Sequence, residues 1–340
     1  MQKFAGKFML VLALVLMVSG CKPKVDGEKL VREAMLNSFD IKQQETNVSV
    51  EGDYQIDDKA KGEKLNGDFS VNLNGYFEET EDFRPVVDMK FLVDLTGMKT
   101  AKDSKESIGV MLDAEAKILS DYSFFFRVNK LSGETVKDLA QFLPTILGNW
   151  WTIALPEETL ADLNPSLLAS QTEQTKKIFE NANLLKSVKV KGKEDLNGIA
   201  TYRVTGLVDQ EGVAKYFEEV AKLSETEIGA EDLAQMKELV KIVSKSTDFN
   251  LWITADDKPQ IIQTKMKLAL SLADFKELAN TPEAAADTDV NGKINADLTI
   301  AIDKINVKRE LTAPEGAKNL EEVLGGLLGG AMMNAPVPTQ

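Results

Sequence analysis

From Val48 to Val128 the chain alternates. Val48, Val50, Tyr54 and Ile56 share one parity, and so do Leu65, Phe69, Val71, Leu73 and Phe77. Val87, Met89, Phe91, Val93 and Leu95 alternate with Asp88, Lys90 and Asp94. Ile108, Val110, Leu112, Ala114, Ala116 and Ile118 continue the pattern, followed by Tyr122, Phe124, Phe126 and Val128. Period two over so many segments predicts antiparallel strands with one apolar and one wet face. The strands are long, roughly 10–14 residues against a usual ~5–6. A wide sheet of such strands twists and coils.

Helical spacing punctuates the alternation. A short helix is expected over 27–39, with Leu30, Val31, Ala34, Met35 and Phe39 on one stripe. Ser132 reads as the N-cap of a second helix, with Val136, Leu139, Ala140, Leu143, Ile146 and Leu147 at i, i+3, i+4, i+7 spacing and Pro144 kinking or ending it. Asn149–Leu155 reads as a strand stopped by Pro156, and 166–186 as a polar helix with Ile178, Phe179, Ala182 and Leu185 as its stripe. Strands follow at 187–195 and 199–208, joined by Asn197-Gly198, a tight-turn pair. Two amphipathic helices come next, one with Val213, Phe217, Val220 and Leu223, the other with Leu233, Met236, Val240 and Val243. Strands close the pattern around Phe249–Ile253, over 260–271, and over 290–307 with Ile294, Ala296, Leu298, Ile300 and Ile302. Residues 278–288 read as a surface loop. The pattern gives one α+β domain over 27–310, of about ten or eleven antiparallel strands with four or five helices over the apolar face.

Composition narrows the function. The 340 residues carry 40 Lys and Arg against 54 Asp and Glu, a net charge of −14. Such acidity argues against a nucleic-acid partner, which needs a basic face. There is no His, so His triads and His-containing zinc sites are excluded. The single cysteine excludes an intramolecular disulfide and all-Cys metal sites. No cofactor is expected, and the chain is expected to be a monomer.

That cysteine has a telling address. Lys3 and Lys7 precede a wholly apolar run, Phe8–Val18, which as a helix is ~16 Å long against a hydrocarbon core of ~30 Å. The run is a signal h-region and not a span. It ends Val18-Ser19-Gly20-Cys21, which resembles the bacterial lipobox. The resemblance implies a signal peptide over 1–20, cleavage after Gly20 and acylation of Cys21, with the acyl chains as a stable membrane anchor. Residues 21–26 are then a short tether; Lys22 to Gly27 reach ~20 Å when extended. The body is expected outside the cytoplasm, on the outer leaflet of the cytoplasmic membrane or, in a cell with two membranes, on the outer one; Lys22 after Cys21 is compatible with the latter.

Three further segments carry a family resemblance. Val190–Gly206, with Gly192-Lys193-Glu194, Leu196, Gly198 and Tyr202-Arg203-Val204, resembles the hairpin of LppX/LprG-type lipoproteins. Leu251–Pro259 is similar to the family's later acidic turn, with Thr254 where an Asp is more usual, and Asn149–Ile153 is similar to its aromatic strand after the first covering helix. The N-terminal helix leading into Glu45–Ile56 also fits, and in order these features cover roughly 27–307. The resemblance, shared with the LolA/LolB group, implies a strongly curved half-barrel sheet with helices across its concave side, holding the acyl chains of a lipid or lipoconjugate and carrying it within the envelope, without catalysis.

Lipid binding needs an apolar concavity with mobile helices at its mouth. The candidate lining is Phe69, Val71, Phe91, Val93, Leu112, Phe124 and Phe126. The candidate lid is Val136, Leu139, Leu143, Ile146, Leu147, Phe217, Val220, Met236 and Val240. A filled core has the same periodicity, so an anchored interaction or structural protein stays open. Asp287, Asp289 and Asn291 match the first half of a calcium loop, but its closing position holds Leu298 where Glu is needed, and a turn into the last strand explains them. Trp150 and Trp151, adjacent on a strand, must point to opposite faces, which speaks against a shared sugar platform. Asp256-Asp257 and Glu157-Glu158 read as surface turns. Residues 311–340 read as a flexible tail, apolar and rich in glycine.

Overall fold

The computed structural model describes residues 25–82, 84–101, 104–139, 143–153, 165–223, 230–245, 247–271, 273 and 290–320. The chain opens with helix α1 (Gly27–Ser38), then strands β1 (Gln43–Asp58), β2 (Glu63–Glu79), β3 (Pro85–Ala101), β4 (Ser104–Ile118) and β5 (Phe124–Ser132). A 3-10 helix (Glu134–Leu139), α2 (Leu143–Ile146), β6 (Trp150–Ile153) and α3 (Pro165–Asn181) follow. Next come β7 (Leu185–Leu196), β8 (Ile199–Val208), α4 (Gln210–Ala221), α5 (Ala230–Lys245), β9 (Thr247–Thr254), β10 (Ile261–Ser271), β11 (Val290–Asp303) and β12 (Lys318–Asn319).

The twelve strands among the described residues form one sheet, in the order β12-β6-β5-β4-β3-β2-β1-β11-β10-β9-β8-β7. Two meanders, β1 to β6 and β7 to β11, meet where β1 pairs antiparallel with β11, Val48 opposite Ile300 and Val50 opposite Leu298. The sheet is open and curved, an α+β half-barrel. Register breaks at Asp113/Ala114, Ile261/Gln263 and Val190/Gly192 add local twist.

Local chemistry explains the elements. Asp26 caps α1, its carboxylate accepting from the backbone N–H of Glu28 and Lys29 at 3.1 and 3.2 Å. Leu30, Val31 and Ala34 of the expected stripe are buried against Val204, Phe249, Leu251 and Ile253 as the core cluster, with Met35 partly buried beside them. Asn197 and Gly198, with φ of 54° and 84°, make the tight turn that joins β7 to β8.

Three expectations change. The helix expected from Ser132 through Leu147 is two separate pieces, and Ser132 ends β5. Gly133, at φ 134°, breaks the strand, and Pro144 sits in the first turn of α2, where a missing N–H costs nothing. Second, Asn291 and Gly292 are not a turn; they lie within β11, opposite Asp57 and Ile56. Third, the stretch read as a tail from 311 returns to the sheet. Residues 304–317 cross the polar face, the Arg309 N–H donating to Tyr76 Oη at 3.0 Å, and Lys318 and Asn319 then pair parallel with Trp151 and Thr152. That crossing buries Tyr76 and Glu78, on the face where alternation predicts exposure. Residues 321–340 lie outside the described residues.

Candidate functional site

The pairing register carries one apolar face across the sheet. Val50, Val71, Val93, Leu112 and Leu131 form one row from β1 to β5. Leu73, Phe91, Ala114 and Val128 form the next, and Phe69 stands opposite Leu95. Phe126 and Phe124 follow on β5, paired with Ala116 and Ile118, their rings stacked at 6.0 Å between centroids. The seven expected lining residues therefore share one face, and all seven are half-buried.

The floor of this face is shaped by a tyrosine. Tyr54 reaches from β1 over Gly67 and Gly97, register partners on β2 and β3, and its hydroxyl donates to the Thr96 carbonyl at 3.2 Å. A Cβ at Gly97 would lie 2.3 Å from Tyr54 Oη, so only glycine lets the ring lie there. Burial pushes the Tyr54 hydroxyl's pKa up, and the nearby Asp68 adds to the shift.

Beyond β1 the same face continues through Ile294, Leu298 and Ile300 of β11 and Met266 and Leu268 of β10. These were absent from the expected lining. No local pattern states that β11 pairs with β1, a contact that spans most of the chain, so they could not be read from sequence.

The helices fall unevenly on the sheet. α1 seats on β7, β9 and β10, and α5 touches β10; the 3-10 helix lies on β4 and β5, and α2 on β5. Of the expected lid residues, Val136, Ile146, Leu147, Val220, Met236 and Val240 are half-buried, and Phe217 is 37% exposed. The side chains of Leu139 and Leu143 lie outside the described residues. Ile242, at 2% exposure, is the deepest described residue of α5 and was not on the expected stripe. Phe39, Phe179, Tyr216 and Phe217 form an edge-to-face chain joining α1, α3 and α4. Three clefts among the described residues lie around these helices and the β7 edge. The groove between α3 and α4, about 600 Å³, is lined by Lys177, Ile178, Asn181, Asp209, Lys215 and Tyr216 and touches none of the expected lining.

The polar face is closed by charge. Glu115 accepts from Arg127 at 2.9 Å and from Asn129 at 3.0 Å. Burial works against its ionisation, but these hydrogen bonds and the Arg127 charge prevail and hold its pKa below the usual glutamate value. Trp150 stands on this face under the Arg127 guanidinium at 4.8 Å. Trp151 points the other way, buried, its Nε1 donating to the Ile146 carbonyl at 3.0 Å. The two rings thus take opposite faces, as adjacency dictates. Thr254, where the resembled family more often has Asp, ties its turn: Oγ1 donates to Asp256 Oδ1 and accepts from the Gln260 N–H, both at 3.0 Å. Asp287, Asp289, Glu157, Glu158 and Cys21 lie outside the described residues, and among the described ones no carboxylate cluster is arranged for a metal. No described helix is long and apolar enough to cross a membrane.

No family model matches the chain, and no curated protein does. Among solved structures, LprF from Mycobacterium bovis aligns with 88% of this chain and 100% of its own, at 8% identity and a TM-score of 0.35. The lipoprotein LppX of Mycobacterium tuberculosis, whose family the sequence resembles, aligns with 84% of this chain and 97% of its own, at 9% identity and 0.26. A DUF1329 family protein from Desulfovibrio piger aligns with 84% and 96%, at 11% and 0.19.

Proposed function

We propose that this chain is a lipoprotein, anchored through acylated Cys21, that holds the acyl chains of a lipid or lipoconjugate on the apolar face of β1 to β5 and carries it within the cell envelope. One observation carries the reading: rows of Val, Leu and Phe from five strands stand in register, and in the rows of Val71 and Phe91 none is fully buried. A protein with no use for such a surface covers it, because each methylene left in water forgoes ~0.8 kcal/mol. A hydrocarbon chain laid on the face recovers that amount per methylene and asks for no reactive group. The reading therefore assigns no catalytic residue, no cofactor and no second protein chain. The 3-10 helix and α2, at the β4–β5 end, are the nearest described candidates for the rim.

The test is native mass spectrometry of the protein purified in mild detergent from its own membranes. Lipid adducts that disappear when Val71 and Val93 are made aspartate support the carrier. An adduct-free protein, with partner proteins captured in place of lipid, would leave an anchored interaction protein.

A further inference from the structure

The tether enters the domain beside one particular strand. Val25 packs against the core cluster, and Gly27 opens α1 so close to β7 that a Cβ there would lie 3.0 Å from Val188 Cγ1. A shallow groove at this point is lined by Val25, Asp26, Gly27, Glu28 and the β7 residues from Val188 to Lys191. β7 is one of the two edge strands of the sheet, β12 being the other. It carries Lys186, Lys189, Lys191 and Lys193, all exposed, with Glu194 and Asp195 at its far end. On a chain of net charge −14 this strand is a local reversal of sign. Breaks in register turn the lysines to both sides of the edge, with Lys189 opposite Thr205 and Lys193 opposite Tyr202. Lys186 lies 3.6 Å from Asp209, and the Lys193 ammonium stands over the Tyr202 ring at 5.9 Å. Among the described residues, none of Lys189, Lys191 and Lys193 has a carboxylate at ion-pair distance. The nearby Asp26 carboxylate is engaged as the cap of α1.

We propose that the β7 edge is the membrane-facing surface of the domain, its lysines resting on anionic lipid headgroups of the bilayer that anchors Cys21. The proposal rests on the anchor reading. Four residues carry the chain from Cys21 to Val25, ~14 Å when fully extended. Lys22 and Lys24 lie in that stretch. With screening over ~8 Å at physiological salt, the charges that meet the bilayer are those beside the tether. Lysines on an open edge also block strand addition, but that role predicts no preference between lipids.

Residues 21–340 with Cys21→Ser, lacking any acyl chain, can be sedimented with vesicles of phosphatidylcholine alone or mixed with phosphatidylglycerol. Binding is expected to the mixed vesicles only, weakening as salt is raised. Replacing Lys189, Lys191 and Lys193 by alanine should weaken it about fivefold per lysine, roughly a hundredfold together. The same charge change at Lys59, Lys61 and Lys105, several strands away, should leave it intact. Equal binding to both vesicles, or equal loss from the two triple variants, overturns the proposal. The anchor is read separately, by washing native membranes with alkaline carbonate. If the full chain stays while its Cys21→Ser variant is released, the anchor stands whatever the vesicles show; release of both removes the anchor and this proposal with it.

Discussion

Two halves of one sheet are built from the same alternation and reach different ends. On β8 and β9, 10 and 8 residues long, Val204 and Ile253 have no exposure under α1. On β2 and β3, each 17 residues long, Val71 and Val93 occupy the same face and stay half-buried. Among the described residues no helix seats along β2 and β3 as α1 does on β7, β9 and β10. The closed half satisfies its apolar face internally and holds the fold. The open half leaves that face half-buried, and its strands are held by their ladders, by Tyr54 across two glycines and by the charged face behind.

The sharpest way to break this contrast is to put the same charge on each side. Val204→Asp buries a carboxylate with no partner and should leave the domain unfolded by circular dichroism. Val71→Asp with Val93→Asp should leave it folded while binding of a fluorescent fatty acid falls at least about a hundredfold, since two charges would be desolvated by the chain. Loss of folding in both cases would mean that the two halves are equally closed.

A milder comparison uses one substitution twice. Leu251→Ala, in the core cluster, should cost about 3 kcal/mol in urea unfolding. Leu112→Ala should cost about 1 kcal/mol, because a half-exposed leucine loses less transfer energy and leaves no cavity. Equal costs would place Leu112 in a packed core. Next in size is Gly97→Ala, whose Cβ would displace Tyr54 from the floor and should cost about 2 kcal/mol. Tyr54→Phe should cost about 1 kcal/mol, the hydrogen bond to Thr96 alone.

The smallest effect is the pH dependence of the polar face. The folded-state pKa of Glu115 is depressed. Its contribution to stability is therefore complete above the unfolded glutamate value and is lost as pH falls through the folded one. Thermal midpoints followed downward from about pH 5 should drop less in Glu115→Gln than in the parent. Parallel curves would show that Glu115 and its partners Arg127 and Asn129 contribute nothing measurable.

Much of this was legible in the sequence. Alternation is a local property, so β1 to β5 and β11 could be read from the parity of their apolar residues, and Asn197-Gly198 marked the turn between β7 and β8. The shared face of Phe69 through Phe126 followed from parity alone. What was missed depends on contacts between distant segments. The β1–β11 pairing that extends the face, the crossing of 304–317 that buries Tyr76, and the burial of Ile242 leave no local signature. The expected helix from Ser132 failed because an apolar stripe outweighed Gly133 and Pro144, two residues that stop regular structure.

The most direct measurement is photocrosslinking with a diazirine fatty acid, followed by peptide mapping. Adducts are expected on β2 to β5, at Phe69, Val71, Phe91, Val93, Leu112 or Phe124, and an excess of plain fatty acid should compete them away. Adducts confined to the helices and the β7–β10 half, or none that compete, would contradict it.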